Sequence, residues 1–212
     1  SSYTGFVKVG KDLSITGATG AGGITPLRYQ SQVTFDSGAP DFDINTINMG
    51  GSTNTAGQSL TYTLPDLAGS KVTFRTIIQD NDGGDNYEEV ISTTSQATIA
   101  AELSKTGSAT LSGTFTVGQT VTLTGIPTFS GGLAPITHEY QWQMSDDGST
   151  WVGFDSAYVE YDPSTILSGS APTKVLDATV SGKFVRLNAK ATDAAGDVLI
   201  APGTQYGPVA AA

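Results

Sequence analysis

The sequence predicts an all-β chain built as two tandem β-sandwiches. Three observations carry that reading: a composition rich in turn formers, an internal repeat roughly half the chain long, and a two-residue alternation of apolar side chains inside the repeated blocks. Of the 212 residues, 26 are Gly and 9 are Pro, and Ser and Thr are abundant. Such a composition suits short strands joined by many turns.

The first block, GFVKVGKDLSITG at residues 5–17, aligns without a gap on GTFTVGQTVTLTG at 113–125, an offset of 108 that sets Gly5 on Gly113. Leu13 and Ile15 alternate in one copy, Val121 and Leu123 in the other. The second block, GGITPLRYQSQV from Gly22, matches GGLAPITHEYQW from Gly131, one residue further out of step. The third, GSKVTFRTIIQDNDGG from Gly69, matches GKFVRLNAKATDAAG from Gly182, with Val72 and Phe74 answered by Val185 and Leu187 and Asp80 by Asp193. Insertions fall between the blocks and not within them. An extra residue inside a strand would turn every later side chain to the wrong face, whereas a surface loop absorbs it. The blocks therefore read as strands, and the chain as domains 1–103 and 104–212. No ten-residue stretch shows the i, i+3, i+4, i+7 spacing of a helix free of Gly, Pro and β-branched clusters. The best candidate, ATIAAELSK at 97–105, reads as the last strand of the first domain running into a short linker.

Ten Lys and Arg against twenty Asp and Glu give a formal charge of −10. A polyanion is repelled by such a chain, which argues against nucleic acid as a partner. With no Cys there is neither a disulfide framework nor a thiolate site. No segment approaches the roughly 18–20 apolar residues of a membrane-spanning helix. The start, SSYTGFVKVG, has neither the basic nor the apolar region of a secretory signal, and the expectation is synthesis in a host cytoplasm.

The second copy carries a V-G-x-x-[LV] opening strand, a Y-x-W strand, a D-G-S-x-W turn and a G-x-x-[IV]-R strand ending in D-x-x-G. In these marks it resembles the Ig-like repeat of bacterial surface and phage virion proteins. The resemblance implies an immunoglobulin-like sandwich in which Trp142 is the core tryptophan between the sheets, with Val33 at the matching place in the first copy. That copy is the more divergent one: its turn is DSGAPDF at 36–42. The expected structural core is Trp142, Val33, Val72, Phe74, Val185 and Leu187.

No catalytic residues and no cofactor are expected. His138 is the single histidine and reads as a strand side chain, so a nucleophile lacks a base and a metal lacks a His cluster. GATGAGG at 17–23 is Gly-rich but lacks the G-K-[ST] of a phosphate loop and reads as a connection between strands. Asp80, Asp82 and Asp85, with Asn81, Glu88 and Glu89 nearby, form the one weak Ca²⁺ candidate. Their spacing fails the EF-hand pattern, and the second copy makes the same turn with only Asp193 and Asp197, so a structural turn is the preferred reading. Asp146, Asp147 and Gly148 read as a hairpin turn. Trp151, Phe154, Tyr158 and Tyr161 read as covering one end of the core, with a binding face as the alternative.

The resulting expectation is a non-enzymatic phage virion structural protein, a capsid decoration or a tail or fibre component. Its partners would be other virion proteins, further copies in a symmetric assembly, and host surface glycans. Exposed strand edges and the SSYTG and AAA termini are the candidate contact surfaces. The alternatives are a fragment of a bacterial cell-surface adhesin or stalk and a carbohydrate-binding accessory module of an enzyme.

Overall fold

Strands that alternate apolar and polar residues bury one face only by pairing into sheets and stacking those sheets. The computed structural model, which describes residues 1–21, 27–36, 45–48, 56–57, 59–79, 89–94, 96–154, 157–169 and 171–212, shows that outcome. The chain divides into two compact units, Ser1–Glu102 and Leu103–Ala212.

The first unit contains β1 (Ser2–Gly5), β2 (Asp12–Thr16), β3 (Arg28–Asp36), β4 (Asn45–Asn48), β5 (Ser59–Thr63), β6 (Lys71–Gln79), β7 (Glu89–Thr93) and β8 (Ala97–Thr98). β1, β2 and β5 make one antiparallel sheet. β4, β3, β6 and β7 make the other, with β8 also on β6. The register sets Val33 opposite Phe74 and Phe35 opposite Val72, so the two long central strands deliver their apolar residues to one face. There they meet Leu13 and Ile15 of β2 in a core closed by Leu64 and Ile99. Each such side chain contributes about 1.5–3 kcal/mol when fully buried.

The second unit contains β9 (Ser104–Thr106), β10 (Thr110–Gly113), β11 (Thr120–Gly125), β12 (Thr128–Ser130), β13 (Thr137–Ser145), β14 (Val152–Gly153), β15 (Val159–Glu160), β16 (Thr173–Val175), β17 (Phe184–Thr192) and β18 (Val198–Pro202). β10, β11 and β16 form one sheet and β14, β13, β17 and β18 the other, with β15 on β13; β9 and β12 pair separately. Trp142 lies between the sheets, 4% exposed, against Leu111, Val121, Leu123, Val185 and Leu187. Among the described residues the only helical element is the 3-10 turn Ala178–Val180. Asp177 caps it, its carboxylate accepting from the Thr179 N–H. Three residues are too few to leave a periodic signal in the sequence.

The sequence repeat reappears in individual backbone bonds. The Val9 N–H donates to the Ala100 carbonyl as Val117 does to Ala210, Gly10 to Leu64 as Gly118 to Leu176, and Gly69 to Ile99 as Gly182 to Val209. Gly5 and Gly113 both hold positive φ, +119° and +128°, and a Cβ on either would stand 2.8 Å from the carbonyl oxygen of Asp12 or Thr120. The shared glycine of the first block is thus required by both backbone conformation and close approach.

The SSYTG start joins a sheet: Ser2–Gly5 pair with β2, and Tyr3 packs on Phe74 with ring centroids 5.5 Å apart. An unpaired apolar-polar alternation next to an existing sheet gains by joining it. The 97–105 segment gives a strand at Ala97–Thr98, but its last residues belong to β9 in the second unit.

Candidate functional site

Alternation that sends Trp142 inward from β13 sends Glu139, Gln141 and Gln143 to the outer face of the sheet. On β17, Val185, Leu187, Ala189 and Ala191 face the core, leaving Arg186, Asn188 and Lys190 on that same outer face. Pairing sets Gln143 opposite Arg186, Gln141 opposite Asn188 and Glu139 opposite Lys190. The face is a grid of amides and charges.

Two aromatic side chains, Trp151 just before β14 and Tyr158 just before β15, lie against it. Arg186 stacks on the ring of Trp151, its guanidinium carbon 3.9 Å from the centroid, and its Nε donates to Gln143 Oε1 at 2.9 Å. Gln143 Nε2 in turn donates to Gln141 Oε1 at 3.1 Å. Lys190 Nζ sits 4.3 Å above the Tyr158 centroid and 2.7 Å from Glu139 Oε2, while Asn188 Nδ2 donates to the Tyr158 hydroxyl at 2.8 Å. Cation–aromatic contacts of this kind are worth about 0.5–2 kcal/mol, more as water is excluded. Covered in this way, Gln143 and Asn188 are 8% and 3% exposed although they point away from the core. Asn188 Oδ1 is buried without a hydrogen-bond partner among the described residues. Burial lowers the Arg186 pKa, with Tyr158 acting the other way.

The first unit carries a related ladder without a described aromatic cover. Arg75 Nε donates to Gln32 Oε1 at 2.6 Å and Gln32 Nε2 to Gln30 Oε1 at 3.4 Å. The repeat aligns Gln32 with Gln141, yet the glutamine that accepts from arginine in the second unit is Gln143. The ladder has therefore moved two residues along the strands, the smallest step that keeps it on the outer face.

His138 is a β13 side chain between the rings of Phe129 and Tyr161, at 5.8 and 5.7 Å. Burial lowers its pKa, with nearby Asp162 opposing. The Tyr161 hydroxyl is buried with no hydrogen-bond partner among the described residues, and burial pushes its pKa up to about 12. A shallow cleft beside them is lined by Ile136, His138, Glu160, Tyr161, Asp162 and Pro163. Asp162 spends its carboxylate on the backbone and hydroxyl of Ser164.

The acidic turns are structural where they are described. Asp147 Oδ1 accepts from the backbone of Ser149 and Thr150 at 2.8 and 2.7 Å and from the Ser145 hydroxyl, which holds its pKa well below the usual carboxylate range. Asp193, 4% exposed, accepts from the N–H groups of Leu133, Ala195 and Asp197, tying the 131–135 loop to the turn after β17. The weak Ca²⁺ candidate of Asp80, Asp82 and Asp85 lies outside the described residues, as does most of DSGAPDF. Among the described residues no group of three His, Cys, Asp or Glu converges as a metal site, and no helix is long and apolar enough to cross a membrane.

Of the residues named from sequence, Trp142, Val33, Val72, Phe74, Val185 and Leu187 are all buried in the two cores. The four aromatics at 151–161 divide. Phe154 and Tyr161 pack on the core as expected, but Trp151 and Tyr158 lie on the outer face. β14 and β15 are two residues long, too short for alternation to declare which of the four aromatics faces the core. The polar series Arg186, Asn188, Lys190 was the available signal, since it marks an outer face with unusual hydrogen-bonding capacity.

Fold and face together define an all-β protein of antiparallel sheets packed as sandwiches. No protein-family model matches the chain, and no curated protein matches its sequence. Among solved structures it is similar to the FN1-FN3 domains of chicken CNTN1. The two share 10% identity over 96% of this chain and 66% of that one, with a TM-score of 0.30. A likeness at that level bears on neither fold detail nor role.

Proposed function

We propose that this chain is a non-enzymatic structural protein of a phage virion, made of two tandem immunoglobulin-like domains and acting through its surfaces. The observation that supports this most is the duplication itself: two units with separate cores and the same backbone bonds at repeat-related positions. Tandem copies of one sandwich offer the same kinds of loops and sheet edges twice in one chain, which serves assembly. The family resemblance adds the virion setting, and the marks that carry it fall at structural positions: Trp142 between sheets and Asp193 in its turn.

Asp147, Asp162, Asp177 and Asp193 each hold backbone N–H groups. Sheet-edge strands are the contact surfaces of this reading; β18 exposes Val198 and Ile200 on its outer side. Mass spectrometry and electron microscopy of gradient-purified particles provide the test. A fixed, symmetric copy number on the particle is expected, and a chain found only as a secreted monomer would refute the proposal.

A further inference from the structure

We propose that the outer face of the β14-β13-β17-β18 sheet binds a neutral oligosaccharide, with Trp151 and Tyr158 as stacking platforms for pyranose rings. This stands independently of the virion reading.

The geometry begins beneath the rings. Arg186 and Lys190 rise from β17 and contact Trp151 and Tyr158 from the sheet side. Each ring therefore lies against the sheet with its opposite face turned outward, and both residues remain partly exposed. A sugar ring presents a flat patch of C–H groups, which packs on such a π face, and hydroxyls around its rim, which need donors and acceptors. The two supporting cations are four residues apart on one strand, their Cα atoms about 13 Å apart, so the platforms sit at two places along the strand, as a ligand of more than one sugar requires.

Between them the floor is polar. Asn188, on the same face between Arg186 and Lys190, is buried and donates to the Tyr158 hydroxyl, which fixes that ring against the sheet. Glu160 on β15 adds an exposed carboxylate at the rim.

Charge selects against acidic glycans. The chain carries a formal charge of −10, and on this face Lys190 is already paired with Glu139 while Arg186 is covered by Trp151. A polyanion finds neither a free cation nor a favourable field there.

The test titrates the intact chain with cello-, chito- and malto-oligosaccharides and, for contrast, hyaluronan oligosaccharides, followed by calorimetry and tryptophan fluorescence. At least one neutral series should bind saturably and perturb Trp151 emission. Trp151→Ala and Tyr158→Ala should each weaken binding by about tenfold or more, equivalent to about 1.4 kcal/mol. Trp151→Phe and Tyr158→Phe keep a ring and should stay within about threefold of the parent, which is less than 1 kcal/mol. Trp142 emission reports whether each variant keeps its core. The proposal is overturned if no neutral series binds, if only hyaluronan binds, or if binding survives both alanine substitutions. It is also overturned if sedimentation shows a dimer that Trp151→Ala dissolves, since the face would then belong to a second copy.

Discussion

Trp142 shows how one residue is fixed by several demands. It sits on the inward phase of β13, opposite Leu187, where the two sheets of its unit meet. Trp142→Ala should cost about 3–5 kcal/mol, read from denaturant unfolding of the intact chain. Gly113 is fixed by backbone alone. Gly113→Ala forces a Cβ toward the Thr120 carbonyl at φ +128°, and an expected loss of about 1–3 kcal/mol would appear as a lowered unfolding midpoint. Asp147 sets a pH dependence. Its hydrogen bonds favour the charged form, so its folded pKa lies below the unfolded value of about 4. Its contribution to stability is therefore complete above that value and is lost as pH falls toward the folded one. A carboxyl NMR titration should find Asp147 still ionised where ordinary aspartates are protonated. At this scale the sequence was most legible where the repeat or a motif singles a residue out, as at Gly5, Gly113 and Trp142. Asn188 was not legible, because its burial comes from Tyr158, thirty residues away in the chain.

Long strands and short ones differ in how they are encoded. β3, β6, β13 and β17 each run nine residues, long enough for alternation to declare phase and partner faces. β14 and β15 have two residues each, and their placement depends on the hairpin turn and on β13. For that reason the split of the 151–161 aromatics between core and outer face could not be read in advance. Loops bound to strands by single side chains behave alike. Asp193→Ala removes the acceptor for three backbone N–H groups, and a loss of about 2–3 kcal/mol is expected. Hydrogen exchange should show Leu133, Ala195 and Asp197 losing protection together, while the amides of β2 and β6 keep theirs.

The whole molecule reads as one design used twice. Its charge, its lack of cysteine and its repeat were all open to inspection in the sequence, and the chain divides into the units Ser1–Glu102 and Leu103–Ala212. What the repeat did not convey is how the copies diverge: the glutamine ladder steps two residues along, and the described cation–aromatic contacts are confined to the second unit. Such divergence on a shared frame is where surface function resides. Everything rests on each unit having its own core. The direct measurement is an amide NMR spectrum of residues 103–212 expressed alone, overlaid on that of the intact chain. A dispersed spectrum whose β11, β13 and β17 resonances coincide with the parent's is predicted; a collapsed spectrum, or one in which those strands shift throughout, would contradict the account.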